Sequence, residues 1–123
     1  MSKKRREYFL FLEDILRSIE KIERFSRGLT LEELKANDMV LDAVIRNFEI
    51  IGEAVKNVPV TIKEKYPDVE WKEASGFRDI LIHDYFGIDI EAVQDTIKNN
   101  IEPFKQKIRE VIKSEKQKKR YST

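Results

Sequence analysis

Apolar residues recur at three- and four-residue steps along the long stretches of this chain, and no stretch alternates with the period of a strand. From Arg6 to Phe25 the apolar positions Phe9, Leu12, Leu16, Ile19 and Ile22 mark one face of a helix, and Gly28 supplies its stop. From Met39 to Val58 a broader band, with Met39, Ala43, Ile45, Phe48, Ile50, Ile51, Ala54, Val55 and Val58, predicts a central helix of about 20 residues. A third run, Ile90, Val93, Ile97, Ile101, Phe104, Ile108, Val111 and Ile112, predicts a long last helix that Pro103 should bend. The expected fold class is all-α.

Local signals punctuate these helices. Thr30 followed by Glu33 forms a capping box for a short helix to about Ala36. Asp38 is expected to cap the central helix and Asp89 the last one. Gly52 lies inside the central pattern, where it costs about 1 kcal/mol against alanine, so a close helix–helix approach is expected there. Pro59 and Pro67 bracket a helical turn over Thr61–Tyr66. Trp71 is placed in an extended piece, as packing and not as a platform for a base. A fourth helix is expected from Lys72 to about Tyr85, stopped at Phe86-Gly87.

With 123 residues, residues 1–123 fit one domain, with a basic tail from about 113. The mixture of 41% hydrophobic and 38% charged residues suits helices with apolar stripes and charged outer faces, not a disordered chain. Absence of cysteine and a single histidine exclude a structural zinc site, a thiolate nucleophile and disulfides. Four glycines far apart make no phosphate-binding loop. No apolar run is long enough for a signal peptide or a membrane span, so a cytoplasmic protein without membrane contact is expected. A net charge of +1 gives no global basic field. Affinity for RNA would have to come from local patches, for which Lys3-Lys4-Arg5-Arg6 and the Lys113–Arg120 tail are candidates; solvated helix ends are the plainer reading of both.

The chemistry concentrates in Arg78-Asp79-Ile80-Leu81-Ile82-His83-Asp84-Tyr85. Arginine offers a planar, permanently charged fork that matches a phosphate, and histidine exchanges a proton near neutral pH. On a continuous helix Arg78 and Tyr85 fall within about 20° of one face while His83 lies about 140° from Arg78. The two converge only if the helix frays or tightens, if the arginine wraps round, or if a second copy faces the first. Asp79 and His83 form an (i, i+4) pair through which the carboxylate would hold the imidazole.

The stretches Arg46–Ala54, Pro67, Trp71 and Gly76–Asp89 resemble, in order and spacing, the HepT family of small HEPN-domain proteins. That family's signature, an arginine, four residues, a histidine, one residue and a tyrosine, is met by Arg78, His83 and Tyr85. Asp79 stands where members often carry asparagine. The resemblance implies an up-and-down helical bundle that forms a homodimer with both motifs in one cleft. It also implies a metal-independent endoribonuclease without cofactor, acting on RNA and not DNA. Such a toxin of a type VII toxin–antitoxin pair is silenced when an MntA-like nucleotidyltransferase antitoxin transfers AMP to the motif tyrosine, here Tyr85.

The expected mechanism is attack of an RNA 2′-hydroxyl on the adjacent phosphate, with His83 as acid or base and Arg78 holding the developing charge. Glu53 is the candidate to brace Arg78. The rival expectation is a non-catalytic helical dimer that binds nucleotide or docks a nucleotidyltransferase.

Overall fold

The computed structural model describes residues 3–83 and 87–121, and these are all-α but for one minimal hairpin. Helix α1 spans Lys3–Ser26, α2 Leu31–Lys35, α3 Asp38–Asn57, α4 Val60–Lys65, α5 Trp71–Ser75 and α6 Phe77–Leu81. Strands β1 (Ile82–His83) and β2 (Gly87–Ile88) follow, then α7 (Ile90–Thr96), a π-helical turn (Ile97–Ile101) and α8 (Glu102–Tyr121). Among the described residues β1 and β2 are the only strands, paired antiparallel with Ile82 opposite Ile88 and His83 opposite Gly87.

The long helices form where the apolar spacing demands. Phe9, Leu12, Ile15, Ile19 and Ile22 of α1 are buried, chiefly against α3, whose buried face includes Leu41, Val44, Phe48, Ile51 and Val55. Phe104, Ile108, Val111 and Ile112 of α8 close the same core. Gly28 at φ +76° turns the chain out of α1, and Thr30 and Glu33 exchange both hydrogen bonds of a capping box, at 3.1 and 3.2 Å. Asp89 caps α7 through the Ala92 N–H at 3.0 Å.

Four expectations are corrected. The cap of α3 is Asn37, whose Oδ1 accepts from the Val40 N–H at 3.1 Å, and not Asp38, which is the first helical residue. Met39, counted in the apolar band, is 82% exposed, because a cap at Asn37 turns it outward in the first turn. Trp71 opens α5 instead of lying in an extended piece; it is buried, and its Nε1 donates to the Tyr66 carbonyl at 2.9 Å. At the other end, Pro103 has no N–H to give the Asn99 carbonyl one turn back, and a π-helical turn immediately precedes it, widening the backbone where the ring would clash.

The fourth correction bears on the site. The helix expected from Lys72 to Tyr85 is broken twice. It breaks first at Gly76, whose N–H closes α5 on the Glu73 carbonyl at 3.1 Å. It ends after Leu81, whose carbonyl accepts from the Asp89 N–H at 2.8 Å and so belongs to the returning strand. Ile82 and Ile88, β-branched and opposite one another, suit the extended pairing. The angular relations computed for an unbroken helix therefore do not hold past Leu81.

Candidate active site

The position of Arg78 is set by its neighbour. Phe77 is buried and meets Phe48 of α3 edge-on at 5.3 Å and Phe104 of α8 edge-on at 6.1 Å between ring centroids, contacts worth about 0.5–1.5 kcal/mol each beyond their burial. This aromatic trio anchors the first turn of α6 against both long helices. Close approach of α3 completes the setting: a Cβ on Gly52 would stand 3.2 Å from the Ser75 carbonyl oxygen, so glycine lets α3 lie this near the α5–α6 junction without pushing that backbone back by a few tenths of an ångström.

With α6 held there, Arg78 Nε lies 3.6 Å from Glu49 Oε2, the arginine side chain 54% and the glutamate 33% exposed. Glu49 is the acidic partner that sequence reasoning missed. Glu53 was expected in this role, but among the described residues the carboxylate that reaches Arg78 is that of Glu49, while the Glu53 carbonyl accepts from Asn57 Nδ2 at 2.9 Å. Geometry explains the choice. Taking Gly52 as the residue that faces α5, Glu49 is about 60° round the helix from it and Glu53 about 100°, so Glu49 sits nearer the contact. Its signal in the sequence was an acid flanked by Phe48 and Ile50 in an otherwise apolar band.

Asp79 is exposed, and its backbone N–H donates to the Gly76 carbonyl at 3.0 Å in the first turn of α6. Because α6 ends at Leu81, the (i, i+4) helical relation that would have set Asp79 beneath His83 is absent. The backbone of His83 belongs to β1, opposite Gly87 at φ +76°; its side chain, and Tyr85 altogether, lie outside the described residues. Among the described residues no three histidine, aspartate, glutamate or cysteine side chains gather to hold a metal ion, and no helix is long and apolar enough to cross a membrane.

A second polar cluster was not anticipated. Glu115 of α8, only 3% exposed, accepts from the Tyr8 hydroxyl of α1 at 2.9 Å and from the Tyr66 hydroxyl, and pairs with Lys65 Nζ at 2.9 Å. Burial alone would raise its carboxyl pKa, but the donors Tyr66, Lys65 and Tyr8 together outweigh burial and hold it below the ordinary carboxylate range. Both phenols move upward, first by burial and then by donating to Glu115. The signal was present in the sequence: Glu115 continues the stripe of Phe104, Ile108, Val111 and Ile112 at helical spacing.

Comparison with known proteins agrees with the resemblance to the family. Residues 15–111 match the family model described as "Ribonuclease HepT-like". The chain is 42% identical over 109 residues to a Methanocaldococcus jannaschii protein named "Putative RNase", covering 89% of this chain and 90% of that one. It is 42% identical over 103 residues to the "Probable ribonuclease HepT" of Thermococcus cleftensis, covering 84% and 94%. A longer M. jannaschii protein, named for gamma-glutamylcyclotransferase and "putative RNase", is 40% identical over 108 residues; the match takes in 88% of this chain and about half, 49%, of that protein. No solved structure matches the chain. With the family model spanning most of its length and relatives this similar covered almost end to end, the chain belongs to the HepT-like ribonuclease family.

Proposed function

We propose that the protein is a metal-independent endoribonuclease that cleaves RNA with Arg78 and His83. The RNA 2′-hydroxyl attacks the neighbouring phosphorus, and the 5′-oxygen of the next nucleotide leaves. His83 carries the proton from the attacking hydroxyl or to the leaving oxygen, a role worth about 10²- to 10⁴-fold. Arg78 holds the charge that grows on the phosphorane oxygens, where a preorganised cation stabilises the transition state most. Glu49 sets the direction of the guanidinium, the part expected of Glu53.

The observation that carries this reading is the end of the helix after Leu81, in a member of a ribonuclease family. On an unbroken helix His83 would be turned about 140° away from Arg78; the change to strand removes that opposition. We further propose that residues 1–123 act as one HEPN-like up-and-down bundle in the cytoplasm, and that two copies pair to put both motifs in one cleft. A nucleotidyltransferase antitoxin would silence the toxin by moving AMP from ATP to the Tyr85 hydroxyl with release of pyrophosphate, which adds bulk and a negative charge to the motif.

Incubating RNA with the purified protein in excess chelator tests the reading. Wild type cuts, and the His83→Ala variant, folded to the same extent, does not. Equal cutting by both removes His83 from the mechanism, and no cutting by either favours a non-catalytic dimer that binds nucleotide or docks a partner.

A further inference from the structure

The two basic runs, more than a hundred positions apart in sequence, meet at one end of the fold. Arg5 Nη2 donates to the Glu115 carbonyl at 2.9 Å and the Tyr8 hydroxyl to the Glu115 carboxylate, so the start of α1 lies against the end of α8. Lys3, Lys4 and Arg6 on one helix and Lys113 and Lys116 on the other, all exposed, thereby concentrate positive charge in a protein whose net charge is only +1.

Beside this pole, the first turns of α1 and the α3–α4 junction enclose a groove of about 580 Å³, ample for a nucleotide unit. Its walls combine three kinds of group. Lys4 and Arg5 bring charge, the partly buried Tyr8 and Phe11 bring aromatic faces, and Asn57 and Thr61 bring amide and hydroxyl groups. One acid, Glu7, also lines it. Cations tracking a backbone beside aromatic faces on which bases stack are the means by which proteins hold single-stranded nucleic acid without reading its sequence.

We propose that this groove binds single-stranded RNA as a second contact for the substrate, apart from Arg78. The proposal rests on the ribonuclease reading for the identity of the strand. Asn57 lies eight residues beyond Glu49 on α3, about 12 Å of helical rise and about 80° round the helix, so the groove is within reach of a strand bound at the ion pair of Arg78 that passes the exposed Glu53. Lys4 meets a phosphate there, and Phe11 offers a stacking face.

Fluorescence anisotropy with a labelled 2′-O-methyl RNA, which lacks the attacking hydroxyl and is not cut, measures this contact on the full chain without turnover. Lys4→Ala is expected to weaken binding several-fold and to reduce the steepness of log K against log salt by about 0.7, the value of one phosphate contact on a single strand. Phe11→Leu, which keeps an apolar side chain but removes the stacking face, is expected to lose roughly five-fold or more at unchanged thermal stability. Lys98→Ala, on the π-helical turn away from the groove, is expected to leave affinity and salt dependence as in wild type. Wild-type binding by both Lys4→Ala and Phe11→Leu overturns the proposal, as does displacement of the RNA by polyglutamate whose own binding is lost in Lys4→Ala, which would make the groove a site for an acidic protein. Failure of the ribonuclease reading has a different signature: natural RNA stays intact while the anisotropy result stands.

Discussion

Arg78 of α6 and Glu49 of α3 face one another with Nε and Oε2 3.6 Å apart, on two helices kept close by Gly52. A pair this exposed adds little to stability, about 0–1 kcal/mol. Its value lies in aiming the guanidinium. Glu49→Gln is expected to lower the cleavage rate constant about ten-fold with little change in KM, less than the ~10²-fold cost of misplacing a reacting group outright. Single-turnover kinetics with circular dichroism as a folding control checks this, and an unchanged rate constant removes Glu49 from the site.

Gly52 offers a test of the packing beneath that pair. Alanine there gains about 1 kcal/mol of helix propensity but brings a Cβ to 3.2 Å from the Ser75 carbonyl oxygen, so Gly52→Ala is expected to be close to neutral. Gly52→Val cannot be relieved by a side-chain movement, since the obstacle is backbone. It is expected to cost about 1–3 kcal/mol in urea unfolding and to reduce cleavage as α6 shifts.

The position of the α3 cap yields a sharper local test. Asn37→Ala is expected to cost about 1 kcal/mol, because Asn37 carries the side-chain cap, and Asp38→Ala only a few tenths from the helix dipole. The opposite order in chemical denaturation would move the helix start by one residue.

The Thr30–Glu33 box, the Gly28 stop and the Asp89 cap depend on spacing within one turn and were legible in the sequence, as were most of the buried positions of α1, α3 and α8. Ile15, Leu41 and Val44, all buried, fell outside the expected stripes, and the exposed Met39 fell inside one. Asn37 and Asp38 are both good caps standing side by side, and tertiary placement decides between them. The break after Leu81 depends on a partner across a turn, Asp89, whereas the one at Gly76 is closed locally on the Glu73 carbonyl. Helical periodicity ran straight through both. The choice of Glu49 over Glu53 is tertiary as well, since both occupy α3 and only the approach of α5 and α6 distinguishes them. The Arg78-His83-Tyr85 spacing was readable as a motif, whereas its geometry was not.

Glu115 links stability to pH. Its carboxyl is held below the ordinary range in the folded chain, so its contribution is complete above the unfolded carboxylate pKa of about 4.3 and is lost as pH falls through the lower folded value. Tyr8 and Tyr66 are raised, so their contribution is complete below about 10 and is lost as pH rises through their folded values. Glu115→Gln is expected to destabilise by about 2 kcal/mol at pH 7, with the difference from wild type shrinking at strongly acid pH. Urea unfolding of both proteins across that range measures it; a constant difference would mean that the carboxylate is not the group that titrates.

The most direct measurement is the chemical identity of the ends made when the wild-type protein cuts an end-labelled RNA in chelator, with Arg78→Ala alongside. Attack by the 2′-hydroxyl predicts a 2′,3′-cyclic phosphate on one fragment and a free 5′-hydroxyl on the other, with both products lost in the Arg78→Ala variant. Fragments carrying 5′-phosphates, or cyclic-phosphate products formed as fast by Arg78→Ala as by wild type, would contradict it.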